Sequence, residues 1–204
     1  AGNTKENKGF IALTFDDGPD PDYTGRLLDL LKEEEVKAAF FVVTREAVKE
    51  EALIDRMLSE GHVVGFHSMD HQNAMVRGYL HTRKDFRTGS EFMKRKGISD
   101  IWYRPPWGLT NLFSWHFVRK YGMKMVLWDV MAEDWERGAT AGSIRKKCLS
   151  RVKDGSILCL HDGGRRTGGA PGAPEKTLEA LTYVISALKE AGYRFILPSE
   201  SVFR

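Results

Sequence analysis

The chain has 204 residues, of which 42% are hydrophobic and 29% are charged, as is typical of one globular domain with a sizeable core. We therefore predict a single domain over residues 1–204. The net charge is only +3, and the scattered lysines and arginines argue against nucleic acid as a partner. No apolar run reaches about 18 residues, so no transmembrane segment is expected.

Hydrophobic periodicity predicts about seven strands that alternate with about six helices. The predicted strands are 10–14, 38–43, 62–66, 100–103, 124–128, 156–160 and 193–196. The predicted helices are 22–35, 47–59, 82–96, 112–121, 140–152 and 174–191. Cys148 falls in a helix and Cys159 in a strand, and two cysteines form neither a disulfide framework nor a zinc cluster. We expect both to be small core side chains.

This alternation predicts parallel βα units, which fit either an open doubly wound sheet or a closed barrel. The position of the polar residues favours the barrel. They follow the carboxyl ends of at least five strands, and such ends converge at the mouth of a barrel. These residues are Asp16, Asp17, His67, Arg104, Asp134 and His161.

The first strand runs directly into Asp16 and Asp17, followed by a Gly18-Pro19 turn. Successive side chains of a strand point to opposite faces, so the two carboxylates diverge unless the chain bends. Two acids at a buried strand end are costly unless a positive group neutralises them. A metal ion, an arginine or both would satisfy this requirement.

His67 and His71 follow the third strand and are four residues apart. On a helical turn this spacing would place both imidazoles on one side, where they can bind one cation. The spacing alone is a weak signal, since surface histidines often show it. With Asp17 they would form a set of two histidines and one carboxylate, which suits zinc, iron, cobalt or manganese.

Three further polar positions are ambiguous when taken singly. Arg104 begins an RPPWG segment that forms either a rigid turn or a support that keeps Asp16 ionised. Asp134, followed by Trp135, is equally compatible with loop packing. His161 ends an apolar strand and could be a core histidine.

Taken together, the ordered motifs TFDDGP, HSxxH, RPPWG, DW and LxLHD resemble those of the polysaccharide deacetylases, the NodB-homology domain of carbohydrate esterase family four. The resemblance extends from about residue 9 to residue 198. It implies a distorted (β/α) barrel, TIM-barrel-like, with about seven parallel strands. It also implies hydrolytic removal of acetyl groups from sugar polymers such as peptidoglycan, chitin oligomers or xylan.

The resemblance also implies a role for each charged position. One divalent ion, zinc first, with cobalt, nickel or manganese as alternatives, would be held by a metal triad. Two further residues would move protons, and two more would position them. The implied assignments are Asp17, His67 and His71 as metal ligands, Asp16 as base, His161 as acid, Arg104 as the partner of Asp16, and Asp134 as the partner of His161.

The resemblance places four residues at the substrate. Trp107 would offer its backbone N–H to the oxyanion and its ring to the groove, beside Pro105. Trp135 would form one side of the acetyl pocket, and Cys159 replaces the leucine that usually lines this pocket. The chain also has methionine at positions 69 and 131, where the family often has an aromatic residue and an aspartate. These departures leave the substrate open.

The motifs favour a metal-dependent N-deacetylase of peptidoglycan or a chitin-like N-acetylglucosamine polymer. The alternatives are a non-catalytic carbohydrate-binding relic, an O-acetyl xylan esterase and a small-molecule amidohydrolase on the same scaffold. The segment 165–172 reads as a flexible loop, or else as a lid or a contact for anionic polymer. A wall-polymer substrate implies an enzyme at the surface of a bacterium or outside it. We expect the protein to be a monomer.

Overall fold

The computed structural model describes residues 8–198, which form eight strands and seven α-helices. The strands are β1 (Gly9–Asp16), β2 (Ala39–Val42), β3 (Val63–Phe66), β4 (Trp102–Tyr103), β5 (Lys124–Met125), β6 (Val130–Met131), β7 (Ser156–His161) and β8 (Tyr193–Phe195). The helices are α1 (Thr24–Glu33), α2 (Thr44–Lys49), α3 (Glu51–Ser59), α4 (Tyr79–Arg95), α5 (Leu112–Lys120), α6 (Ala141–Arg151) and α7 (Ala173–Glu190). Short 3-10 turns occupy Ala74–Val76 and Pro106–Gly108. No described helix has the length and apolar character needed to cross a membrane.

The sheet is parallel and curls into an incomplete barrel. Its order is β5-β4-β3-β2-β1-β7-β6, and β8 pairs with the start of β1. In a flat sheet β4 would lie about 14 Å from β1, since neighbouring strands are about 4.8 Å apart. Arg104, directly after β4, nevertheless places its Nη1 2.8 Å from Asp16 Oδ1 at the end of β1. The sheet therefore closes around Arg104, which confirms the prediction of a distorted (β/α) barrel.

The fifth predicted strand, 124–128, is wrong as a single element. Only Lys124–Met125 of that range is a strand, β5, and a separate strand, β6, follows at Val130–Met131. No pairing joins the two in the described part of the sheet. The carbonyls of Val126 and Leu127 instead accept hydrogen bonds from Arg104 Nε and Nη2, at 3.2 and 3.1 Å. Asp134 accordingly follows β6.

The predicted helix 47–59 is also wrong as one element. It is two helices, α2 and α3, which meet at Glu50. The backbone of Glu50 is non-helical, with φ −115° and ψ 43°, so the chain turns there. Hydrophobic periodicity continues through such a break, because it follows burial and not the backbone angle.

Alternation along β1 separates the core from the site. Ile11, Leu13 and Phe15 point outward into the large apolar layer under the helices. Thr14 and Asp16 point inward, above a small apolar cluster that contains Phe41. Each large side chain buried in the outer layer contributes about 1.5–3 kcal/mol, so this apolar layer supplies much of the fold's stability. The barrel mouth is thus left available for chemistry.

Candidate active site

Asp16 and Asp17 diverge at the end of β1. Asp16 retains the inward direction of the strand, whereas Asp17 has φ 78°, a left-handed backbone conformation. Gly163 packs so closely here that a Cβ on it would lie 2.7 Å from the carbonyl oxygen of Asp17. Close packing of β1 against the segment after β7 therefore keeps Asp17 in this unusual conformation.

Asp16 is held by a buried arginine. Arg104 is 0% exposed, and its Nη1 donates to Asp16 Oδ1 at 2.8 Å and to Thr14 Oγ1 at 2.7 Å. Its guanidinium also lies over the Phe41 ring, 4.1 Å from the centroid. On the other carboxylate oxygen, Cys159 Sγ donates to Asp16 Oδ2 at 3.4 Å. These contacts fix the carboxylate and leave Oδ2 facing the mouth.

Asp17 lies against both histidines of the HSxxH motif. Its Oδ1 is 3.4 Å from His67 Nε2 and 3.1 Å from His71 Nε2. Oδ1 is a buried oxygen without a hydrogen-bond partner among the described residues, because neither nitrogen is aligned to donate to it. One candidate ligand atom from each residue lies within 4.8 Å of the others. An oxygen and two nitrogens that face one point are the donor set of a divalent metal, so these residues fit the implied ion.

Further contacts orient this triad. His67 Nδ1 donates to the carbonyl oxygen of Arg104 at 2.7 Å, because a carbonyl can only accept. That tautomer leaves the lone pair of His67 Nε2 directed at Asp17. Thr167 Oγ1 donates to Asp17 Oδ2 at 2.6 Å, from the glycine-rich segment after β7. The second carboxylate oxygen is thereby occupied while Oδ1 remains free.

The charges of the triad are coupled. Burial opposes ionisation of Asp17, but His67 and His71 outweigh it and hold the pKa of Asp17 well below its usual value. Burial likewise opposes protonation of His67, yet Asp16 and Asp17 raise the pKa of that imidazole. Both shifts show that the buried carboxylate of Asp17 favours positive charge beside it, which a bound cation would supply.

The two histidines do not meet on a helical turn, and that expectation is wrong. The segment between them is irregular, with left-handed backbone angles at Ser68 (φ 72°) and His71 (φ 50°). It is anchored from α4, where Asp85 accepts a hydrogen bond from the backbone N–H of Met69. The loop thus brings the imidazoles together by a route that spacing alone did not reveal.

His161 stands on β7 next to Asp16, in register with it. Its Nδ1 is 2.8 Å from Asp134 Oδ1, and its backbone N–H donates to Asp134 Oδ2 at 2.9 Å. Thr177 Oγ1 donates to the same Oδ2 at 2.8 Å. Burial lowers the basicity of His161, but Asp134 outweighs it and raises the pKa of His161 to about 9. His161 is therefore protonated at neutral pH.

The four residues expected at the substrate lie around this mouth. Trp107 is about half exposed, and its ring meets that of His71 edge-on, 4.4 Å between centroids. Trp135 is 38% exposed, and its carbonyl accepts a hydrogen bond from Ala170. Cys159 is buried beside Asp16, whereas Pro105 is buried in the turn before Trp107. Only the two tryptophans present a substantial surface to a ligand.

A sequence profile of the family described as "Polysaccharide deacetylase" matches residues 3–126, more than half of the chain. The chain belongs to the polysaccharide deacetylase family. This membership confirms the interpretation of the ordered motifs and identifies the protein as a polysaccharide-deacetylase enzyme.

Relatives within the polysaccharide deacetylases match along nearly the whole chain. A peptidoglycan-N-acetylglucosamine deacetylase of Bacillus cereus is 33% identical over 95% of this chain and 88% of its own length. A chitooligosaccharide deacetylase of Azorhizobium caulinodans is 30% identical over 95% of this chain and 94% of its own. The crystal structure of the Bc1960 peptidoglycan N-acetylglucosamine deacetylase aligns with a TM-score of 0.86 and 31% identity, covering 98% of this chain and 89% of that one.

Sequence reasoning missed the side chains that support the charged residues of this deacetylase. Thr14 stands within the TFDDGP motif and was noticeable only as a polar residue in an apolar strand. Thr177, Thr167 and Asp85 lie far from the residues they contact, on α7, in a loop and on α4. A single sequence gives no signal for such long-range pairs.

Proposed function

We propose that this protein is a metal-dependent hydrolase that removes N-acetyl groups from N-acetylglucosamine units of peptidoglycan or a chitin-like polymer. One observation carries the proposal. Two adjacent carboxylates have separate partners: Asp16 binds Arg104, and Asp17 faces His67 and His71. Such a division is what a hydrolase needs when one acid must hold a cation and its neighbour must move a proton.

Asp17, His67 and His71 would hold the ion, which we propose is zinc because two imidazoles and one carboxylate suit it. A divalent ion held there would polarise the amide carbonyl and increase the acidity of a water molecule. Cobalt, nickel and manganese accept similar ligands and remain candidates.

Asp16 would accept the proton of the attacking water, since Oδ2 faces the mouth while Arg104 fixes Oδ1. The water oxygen forms a bond to the acetyl carbon, and the backbone N–H of Trp107 would donate to the oxyanion. His161, protonated through Asp134, would give its proton to the departing nitrogen. The carbon–nitrogen bond then breaks, which yields acetate and a free amine.

The acetyl group would bind beside Trp135 and Cys159, and the sugar would stack on the exposed Trp107 ring, with Pro105 fixing the turn before it. The relatives that are named for peptidoglycan and chitooligosaccharide support a polymer or oligomer as substrate. We further propose that the enzyme acts at the bacterial cell surface or outside the cell, where such polymers occur.

The test separates the two carboxylates. Asp16→Asn should retain metal, measured by elemental analysis after equilibration with zinc, but release no acetate from chitooligosaccharides or peptidoglycan. His71→Ala should lose both metal and activity, whereas the control His116→Ala, on the exposed side of α5, should keep both. Equal loss of metal in Asp16→Asn and His71→Ala would refute the division. Release of acetate from acetylated xylan, but not from chitooligosaccharides or peptidoglycan, would refute the proposed substrate class.

A further inference from the structure

A surface beside the barrel mouth carries exposed apolar side chains that the proposed reaction does not use. Two segments form it, 74–84 and 107–120, and we refer to it as the 74–84/107–120 face. Four aliphatic side chains on it are mostly exposed: Leu112 85%, Leu80 76%, Val76 73% and Met75 61%. Soluble monomers rarely leave so much apolar surface in one place unless a partner covers it.

Direct contacts make the two segments one surface. The side-chain amide of Asn111 donates to the carbonyls of Ala74 and Arg77, at 2.6 and 3.0 Å. The rings of Tyr79 and Phe113 meet edge-on, with centroids 5.7 Å apart. The exposed leucines are neighbours in the chain of these contacting residues, so they belong to the same patch.

The charge of this face has a single sign. Residues 71–84 and 101–128 contain no aspartate or glutamate. Five exposed cations stand on the face, and none pairs with a carboxylate in the described part of the chain: Arg77, Arg83, Lys84, Arg119 and Lys120. Asp85 follows Lys84 directly but is buried and accepts the backbone N–H of Met69. Asp70 and Asp100, in the adjoining segments, pair with Arg45 and Lys124. The face therefore combines exposed apolar side chains with exposed charges that are all positive.

We propose that the 74–84/107–120 face docks this protein onto a bilayer that contains anionic phospholipid. Exposed leucine, valine and methionine side chains can enter the acyl boundary, while Tyr79 and Trp115 suit the interface. The unpaired lysines and arginines complement anionic headgroups. Trp107 is the first residue of the second segment and contacts the His71 ring, so docking places the barrel mouth at the membrane surface.

Other occupants fit the face less well. Sugar rings stack on aromatic faces, but the most exposed side chains here are aliphatic. A second copy would bring the face against itself across a two-fold axis, which would oppose unpaired cations of like sign.

The test measures sedimentation with phosphatidylcholine vesicles that do or do not contain phosphatidylglycerol. Leu80→Glu and Leu112→Glu are suitable variants because both residues stand in the first turn of a helix, where a negative charge stabilises the fold. We expect each to weaken binding to the anionic vesicles about tenfold, from lost insertion and repulsion together. Leu149→Glu, on the exposed side of α6, is the matched control and should bind like the unaltered protein.

Binding that requires phosphatidylglycerol, weakens with added salt and is about tenfold weaker in both face variants would support the proposal. The proposal is overturned if the unaltered protein does not sediment with anionic vesicles. It is also overturned if the Leu112→Glu variant binds these vesicles as strongly as the unaltered protein. Binding to insoluble chitin or peptidoglycan without vesicle binding, or a concentration-dependent dimer that Leu112→Glu abolishes, would assign the face to those partners. Acetate release from soluble oligosaccharides should be unchanged in both variants, so failure here is separable from failure of the enzymatic proposal.

Discussion

Asp134 holds His161 at two points, since its Oδ1 lies 2.8 Å from the imidazole Nδ1 and its Oδ2 accepts the backbone N–H of the same residue at 2.9 Å. The ring is thereby oriented with Nε2 toward the mouth, and the adjacent negative charge raises the pKa of His161 to about 9 against the opposing effect of burial. A histidine with this pKa can act as a proton donor throughout the neutral range.

Asp134→Asn should therefore shift the pH profile of deacetylation. The unaltered enzyme should lose activity as pH rises through about 9, where His161 loses its proton. Without the negative charge of Asp134, only Asp17 and Asp16 still oppose the effect of burial, so the pKa of His161 should fall and the loss of activity should begin at a lower pH. Measurement of kcat/KM against pH should show this shift, with a loss of about 10²-fold or more at pH 8.

Thr177→Val is the matched control, because it removes one hydrogen bond to Asp134 but keeps the charge. Its alkaline limb should move little. The ion pair should also stabilise the fold below pH 6.5, the usual pKa of histidine, and lose that contribution as pH rises through about 9. Asp134→Asn should accordingly be more destabilising at pH 6 than at pH 10, and the reverse order would contradict the assignment.

Arg104→Met should unfold at a lower urea concentration than the unaltered protein. The change leaves Asp16 as a buried carboxylate without its counter-ion, which costs about 3–5 kcal/mol. Asp16→Asn combined with Arg104→Met removes both charges and should restore part of that free energy of unfolding. Strictly additive effects of the two single changes would show that the pair does not interact.

The sequence predicted the barrel because polar residues after several strands can converge only at a shared mouth. It also predicted that Arg104 would reach Asp16, since a buried carboxylate needs a positive partner. It could not predict that the same guanidinium donates hydrogen bonds to the backbone carbonyls of Val126 and Leu127, in the segment between β5 and β6. That outcome depends on where the side chain lies in the curled sheet, which local hydrophobicity does not encode.

The supporting hydrogen bonds were unpredictable for a related reason. Thr167 lies 150 positions from Asp17 in the sequence, and its loop shows no pattern beyond its glycines. The HSxxH spacing correctly predicted two imidazoles near Asp17, but residues 67–71 do not form the helical turn from which we predicted it. Left-handed backbone at Ser68 and His71, and not a helical turn, brings them together.

Thr167→Val should weaken metal binding. The hydroxyl donates to Asp17 Oδ2 at 2.6 Å and keeps Oδ1 directed at the two imidazoles. Loss of such an outer contact lowers metal affinity about 10–100-fold. Competition against a zinc-sensitive chelator dye should show this decrease, while Thr167→Ser, which keeps the hydroxyl, should bind nearly as well as the unaltered protein. Equal affinities for the valine and serine variants would mean that the contact does not orient Asp17.

Both cysteines should be unreactive in the folded protein. Burial raises the pKa of Cys148 to about 12, and burial together with the neighbouring Asp16 raises the pKa of Cys159 well above its usual value. Neither thiol is exposed, so little thiolate forms and no reagent reaches it. Titration with a thiol-specific chromogenic disulfide at pH 8 should count no thiols in the native state and both in denaturant. A thiol that reacts in the native state and is lost in Cys159→Ser would show that β7 opens beside Asp16, and the carboxylate would then not be held in a closed site.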